Sequence, residues 1–253
     1  MKKIISWNVN GIRAMAKKGF VPWIGQAAPD VLCLQETKAN PDQLDEELKN
    51  IHGYTSYFAS AEKKGYSGVA IYTKAKPTEI RKMGFEEFDR EGRVLVLEYP
   101  DLTVISAYFP NSQNGGARLG YKLEFCAAML EFCEGLAAAG RNFVLCGDFN
   151  IAHKPIDLAR PKGNEASAGY LPEERAWMDT FTGSGFIDTF RLFNQEPGNY
   201  TWWSYVTRAR ERNVGWRLDY HCVPGYFQKR VAQSTILSDV MGSDHCPVEL
   251  ILT

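Results

Sequence analysis

Residues 143–150 read FVLCGDFN: Phe143, Val144, Leu145 and Cys146 form an unbroken apolar run that ends in Gly147-Asp148-Phe149-Asn150. A run this short, apolar on both faces, reads as a strand covered on both sides. Its polar residues fall at the strand end, where the backbone is rigid enough to hold a reactive group. Taking 142–147 as this strand, the same pattern recurs outward. It predicts strands at 4–9, 31–35, 68–73, 93–98 and 103–109 in the first half of the chain. In the second half it predicts further strands at 200–205, 217–223, 234–237 and 248–252.

Helical periodicity fills the gaps. The clearest stretch runs from Arg118 to Ala139, with Leu119, Leu123, Ala127, Leu130 and Ala137 on one face and Gly140 placed to stop it. Pro172 opens a second helix over 173–182, with acidic residues in its first turn; 21–27 and 42–49 are weaker. About five strands lie on each side of the long helix. This predicts an α/β fold, a four-layer α/β/β/α sandwich with two mixed β-sheets packed face to face and helices outside. No linker or repeat divides the chain, so residues 1–253 are expected to form a single catalytic domain.

The composition narrows the class. Hydrophobic residues are 45% and charged residues 23% of 253, which excludes a disordered or fibrous chain. No apolar run is long enough to cross a bilayer and the N-terminus lacks a signal pattern, so a cytoplasmic protein with no membrane partner is expected. The net charge of −1 means that any polyanionic partner must meet a local basic face. Six cysteines without a CxxC pair read as buried, reduced thiols. Gly135 and Gly140 have the spacing of a phosphate-binding loop, but Arg141-Asn142 stands where Lys-Ser/Thr is required.

The polar residues at the strand ends carry the chemistry. Strand 4–9 delivers Asn8, strand 31–35 runs into Glu36, strand 142–147 into Asp148 and Asn150, and Asp244-His245 precedes the last strand. Taken singly, each has a bland reading. Glu36 could be a solvated charge, Asp148 an Asx-turn former, Asn8 and Asn150 turn residues, His245 a structural histidine and Tyr108 a core aromatic. Asp219 in WRLDY is harder to dismiss, because an aspartate in a strand-like run needs a partner. Collectively, oxygen donors with one histidine and no cysteine pattern suit magnesium or manganese, not zinc. Such a set can drive attack of water on a phosphodiester.

The stretches SWNVNGIRA, VLCLQETK, YSGVAIYTK, SAYFPNS, GDFNIAH, NVGWRLDY and GSDHCPV, in this order from residue 4 to 251, together resemble the exonuclease III family of apurinic/apyrimidinic endonucleases. The resemblance implies a four-layer sandwich and a Mg2+-dependent phosphodiesterase, with Mn2+ as a substitute. Such an enzyme cleaves DNA 5′ to an abasic site, leaving a 3′-hydroxyl and a 5′-deoxyribose phosphate, and also trims 3′ ends. It implies Glu36 as the main metal ligand with Asn8 beside it, and Asp244 at the metal or its hydration shell. Asp148, helped by Asn150, would activate or align the water. His245, oriented by Asp219, would contact the phosphate, and Tyr108 would lie at the scissile group. Two departures stand out. Some relatives carry an aspartate at the position of Asn10, and some animal relatives an arginine at that of Asn114. The first weakens the case for a second metal, the second implies a looser clamp on product.

For substrate recognition, Trp202, Trp203 and Trp216 lie close in sequence to Arg208, Arg210 and Arg212, an aromatic–cation mixture suited to DNA. The resemblance places Trp202 and Trp216 in the wall of an abasic-sugar pocket, and Asn111, Asn164, Arg208 and Arg212 are expected as further substrate contacts. Small Ala168 and Gly169 are expected to leave room for the continuing strand. The expected partner is double-stranded DNA with abasic sites or 3′-blocked ends, met by a monomer of bacterial type. Three other readings stand beside this one: a 3′-end-processing phosphatase or exonuclease with weak internal incision, a phosphoesterase for other substrates such as phosphoinositides, and an inactive DNA-binding protein.

Overall fold

The computed structural model describes residues 2–253. Twelve strands form two six-stranded mixed sheets. They are β1 (Lys2–Asn8), β2 (Val31–Gln35), β3 (Thr55–Ala59), β4 (Val69–Thr73), β5 (Glu79–Arg81), β6 (Val94–Glu98), β7 (Thr103–Tyr108), β8 (Phe143–Asp148), β9 (Phe186–Asp188), β10 (Asp219–Pro224), β11 (Val231–Ile236) and β12 (Val248–Leu252). The first sheet has the order β11-β12-β1-β2-β4-β3 and the second β5-β6-β7-β8-β10-β9. Only β1–β2 and β7–β8 pair in parallel. The helices are α1 (Ile12–Ala16), α2 (Phe20–Ala27), α3 (Glu46–Lys49), α4 (Glu86–Asp89), α5 (Leu119–Ala138), α6 (Pro172–Gly183) and α7 (Phe190–Phe193).

The sheets do not follow the two halves of the chain. β5, β6 and β7 precede the long helix yet join β8, while β11 and β12 return from the C-terminus to pair beside β1. Alternation along each strand sets the layers. Ile4, Val31, Cys33 and Ile71 of one sheet pack against Leu97, Val104, Val144 and Val223 of the other. The opposite faces take the helices: Ile5, Trp7, Leu32 and Tyr72 cover α1 and α2, while Phe143, Leu145 and Cys222 cover α5 and α6. This is the four-layer sandwich expected. All six cysteines are buried and unpaired.

Three local expectations differ from the structure. Residues 200–205 form no strand; Trp202 makes isolated bridges to Trp216 and His245 and serves as a wall. Strands β3 and β5 escape sequence reading because each is a short, partly exposed sheet edge without a clear apolar pattern, and β9, a largely buried edge, because three residues are too few to show one. Helix α5 has the expected bounds, but its buried face is Lys122, Phe125, Cys126, Met129, Cys133 and Leu136, while Ala127 is exposed. The helix is apolar nearly all round, so its periodicity leaves the inward side ambiguous, and an enclosed lysine hides the true one.

The space between the sheets is graded toward one rim. Val144, Cys146 and Asp148 follow one another on the inner face of β8, as do Ile4, Ser6 and Asn8 on β1 and Val223, His221 and Asp219 on β10. Ser6 and Ser106 bond the Gln35 amide one rung below the rim. Apolar contacts thus give way to a polar layer and then to ionisable groups.

Candidate active site

Register brings the groups together. Parallel pairing places Tyr108 beside Asp148, and antiparallel pairing places Asp219 on the other side of Asp148. Gly147 makes this approach possible: a Cβ there would lie 1.8 Å from the Ala107 carbonyl oxygen, and its φ of 146° is a glycine conformation. From the facing sheet, Asn8 ends β1 and Glu36 follows β2 in a left-handed turn with φ 53°. Asn10, Lys38 and Asn150 share that left-handed conformation. Such residues cluster where surrounding contacts fix them for a purpose.

Asn8 joins the two sheets. Its Nδ2 donates to Glu36 Oε1 at 2.9 Å and to Asp148 Oδ2 at 2.8 Å. Asp148 also accepts from the Asn150 backbone N–H at 2.8 Å and from Asn150 Nδ2 at 3.3 Å. The Asn150 Oδ1 accepts from Asn111 Nδ2 at 2.9 Å. His245 Nδ1 bonds Asp219 Oδ2 at 2.8 Å, leaving Nε2 at 3.8 Å from Asp148 Oδ2. The turn carrying His245 is held by β1: Ser243 Oγ donates to the Asn8 carbonyl at 2.8 Å and Trp7 Nε1 to the His245 carbonyl at 3.1 Å.

The second arc of contacts runs along the rim. Lys38 Nζ lies 2.7 Å from Glu36 Oε2 and 2.5 Å from Asn10 Oδ1. Asn10 Nδ2 donates to Asp244 Oδ1 at 3.0 Å, and Trp202 Nε1 donates to Asp244 Oδ2 at 3.1 Å. Where some relatives carry an aspartate, this chain therefore uses an amide to link a lysine to Asp244.

Burial pushes the Asp148 carboxyl up to about 7, with the charges of Asp219 and Glu36 adding to the rise against the pull of His245 and Asn8. Burial alone would lower His245, but Asp219 and Asp148 outweigh it and raise the imidazole to about 10. Burial also opposes ionisation of Glu36 and Asp244, yet both are lowered: Glu36 chiefly by Lys38 and Asn8, Asp244 chiefly by His245 and Asn10. Burial and the charges of Glu36 and Asp148 hold Tyr108 well above the phenol range, so it keeps its proton. The Arg93 guanidinium lies 5.1 Å from the Tyr108 ring.

These groups open into a cavity of about 810 Å³ lined by Glu36, Tyr108, Asn150, Trp202, Trp216 and His245. Trp202 and Trp216 meet edge to face at 6.3 Å. Gly169 lies against the Trp216 ring, where a Cβ would stand 3.4 Å away. Asn111, Asn114, Asn164, Ala168 and Asp244 also line it. Asn164 is already engaged, donating to the Arg160 carbonyl at 2.7 Å. Arg208 and Arg212 are exposed on the turn beside the cavity and form no part of its wall. Arg210 turns inward instead, onto the Trp203 ring and the carbonyls of Ser238, Val240 and Ser243. Trp203 is buried away from the cavity. Sequence reading passed over Lys38, although it stands two positions after Glu36.

The donors fit a hard cation. Asp148, Asp219 and His245 each bring a ligand atom within 4.8 Å of the others, so this cluster could hold a metal ion. Glu36 and Asp244, linked through Lys38 and Asn10, bring further oxygens to the cavity lining, which contains no cysteine among the described residues. A proton held by His245 up to about 10 occupies the imidazole, which favours the carboxylate oxygens over its nitrogen as ligands.

Comparison with known proteins gives the family. A model of the endonuclease/exonuclease/phosphatase family matches residues 5–245. The chain is 44% identical over 253 residues to an exodeoxyribonuclease of Bacillus subtilis, covering 99% of both chains. It is 43% identical to the DNA repair nuclease APEX1 of Danio rerio, covering 99% of this chain and 82% of that one. A crystal structure of an AP endonuclease from Leishmania major superposes with a TM-score of 0.89 at 31% identity, covering 100% of this chain and 88% of that one.

Proposed function

The chain belongs to the endonuclease/exonuclease/phosphatase family, and from that premise we propose that it cuts the DNA backbone 5′ to an abasic site with magnesium as cofactor, leaving a 3′-hydroxyl and a 5′-deoxyribose phosphate. The observation that carries this reading is the Asn8 amide bonded to both Glu36 and Asp148, beside the Asp219–His245 pair, at the end of a tryptophan-walled cavity.

Glu36, with Asp244 in the same cavity lining, would hold the ion. Magnesium, when bound, supplies positive charge to the phosphate and polarises water. Asp148, its carboxylate aligned by the Asn150 N–H and the Asn8 amide, accepts the proton of the attacking water. His245, kept cationic by Asp219, gives its Nε2–H to a non-bridging phosphate oxygen and stabilises the charge that grows there. Tyr108, still protonated, donates to the same group; as the water oxygen bonds to phosphorus the P–O3′ bond breaks, and the departing 3′ oxygen takes a proton from solvent to become the 3′-hydroxyl. Four carboxylates against one ammonium and one imidazolium leave the centre negative, so a cation must enter before or with the phosphate. Trp202 and Trp216 enclose the sugar; a base attached to it would collide with the wall, which selects a flipped, base-free nucleotide by size. Asn111 reaches the phosphate beside Asn150, and Arg208 and Arg212 hold the backbone outside the cavity. The protein acts on its duplex as a single domain and a monomer.

The test is a duplex with one internal abasic analogue, incubated with magnesium or with chelator. One cut on the 5′ side, ending in a 3′-hydroxyl and abolished by chelator, is expected. A second reading, 3′-end processing, is favoured by the name of the Bacillus relative, an exodeoxyribonuclease, and by the amide side chain of Asn114 in the cavity lining, too short to wedge deeply into a duplex. A substrate nicked with a 3′-phosphate separates the two: reaction of the nick alone would select the second.

A further inference from the structure

Lys122, in the first turn of α5, is fully enclosed, and an enclosed ammonium needs partners to be tolerated. Its Nζ donates to the Asn150 backbone carbonyl at 2.6 Å and to Glu174 Oε1 at 2.7 Å. Glu174, on α6 and equally enclosed, also accepts from Ser112 Oγ and, through Oε2, from the Leu171 N–H at 2.8 Å. One ion pair thus ties down three segments around the cavity. Ser112 follows Asn111, Asn150 ends the GDFN turn, and Leu171 follows the Gly169 wall.

The Asn150 carbonyl matters because of what its residue holds. With φ at 51°, Asn150 leaves the β8 ladder, and its carbonyl needs a donor from elsewhere. Its side-chain amide is fully used: Nδ2 on the Phe109 carbonyl at 3.0 Å and on Asp148, Oδ1 on Asn111. Turning this residue would move the contacts of Asp148 and Asn111 together. Stability gives little reason for the charges, because an apolar pair of similar volume is commonly as stable as a buried ion pair.

We propose that Lys122 and Glu174 are positioning residues that hold the Asn150 turn from beneath the cavity, so that its amide and N–H set Asp148 and Asn111 in their reacting orientation. This inference rests on the reading of Asp148 and Asn150 as groups of the cleavage reaction.

The experiment is single-turnover cutting of the abasic duplex at saturating enzyme in magnesium, with affinity for uncut duplex measured in chelator. The double variant Lys122→Met with Glu174→Met removes both charges at similar volume. It is expected to bind within about threefold of wild type and to cut about 30-fold more slowly, since a misplacement of about 1 Å costs on the order of 100-fold. Lys122→Arg keeps a donor for the carbonyl and is expected to cut within about threefold of wild type. A folded double variant that cuts at the wild-type rate overturns the inference. Should it not fold, Glu174→Gln is read instead: a fall of about fivefold at unchanged affinity supports the role, and an unchanged rate overturns it. Failure of the wild type to cut would count against the functional reading; a cutting wild type with indifferent variants would remove only the positioning role.

Discussion

Asn8 and Asp148 end strands of different sheets, and the 2.8 Å hydrogen bond from Asn8 Nδ2 to Asp148 Oδ2 closes the sandwich at the rim. Because the same nitrogen also serves Glu36, one amide fixes the separation of two carboxylates. Asn8→Ala frees both. We expect cutting to fall about 100-fold with DNA affinity within about threefold, and the magnesium titration to shift to higher concentration. An unchanged titration would remove Asn8 from the metal side of the site.

The pH dependence follows from two opposite groups. Asp148 is an acid raised to about 7, so its base form is lost below that point and the rate should fall toward acid. His245 is a base raised to about 10, so its proton is lost above that point and the rate should fall again toward alkali. The plateau therefore lies between, and added magnesium should move the acid limb lower by favouring the ionised carboxylate. His245→Gln should abolish the alkaline limb in a pH–rate measurement; its persistence would assign that limb to another group.

Arg208 and Arg212 stand on the exposed turn outside the cavity wall. If they hold phosphates, replacing either with alanine should weaken duplex binding and shallow the log–log salt dependence by about one unit. Titrations at several salt concentrations measure this directly, and an unchanged slope would exclude the residue as a phosphate contact.

Acid stability should depend on Asp157. Burial opposes its charge, but Arg217 at 2.8 Å and Arg191 hold its carboxyl down at about 2. A depressed acid stabilises the fold above its unfolded value and loses that contribution as pH falls through the folded one. The gap from 3.8 to about 2 corresponds to roughly 2 kcal/mol present at neutral pH and lost between about pH 4 and 2. Asp157→Asn should flatten denaturant midpoints across that window while lowering stability at neutral pH.

The inner strands were legible because strands covered on both faces must be apolar throughout, as in residues 143–146 and 31–34. Their polar ends were legible for the same reason, since Asn8, Glu36 and Asp148 interrupt that pattern where the sheet stops. The edge strands β3, β5 and β9 were not, because strands this short or this exposed carry too little apolar code, whereas the longer edge β11 was read in part at 234–237. Trp202 read as strand because aromatic residues favour strands, whereas here two isolated bridges hold it as a wall. Lys122 was illegible for a different reason. A lysine in a helix reads as solvent-facing, and only the three-dimensional meeting of α5, α6 and the Asn150 turn explains its enclosure.

The most direct measurement compares wild type with Asp148→Asn on one internally abasic duplex, in magnesium and in chelator, following both cutting rate and affinity. The account predicts a single magnesium-dependent cut 5′ to the lesion by wild type, and a rate at least about 1,000-fold lower for the variant at nearly equal affinity. A variant that cuts at close to the wild-type rate, or a wild type indifferent to the chelator, would contradict it.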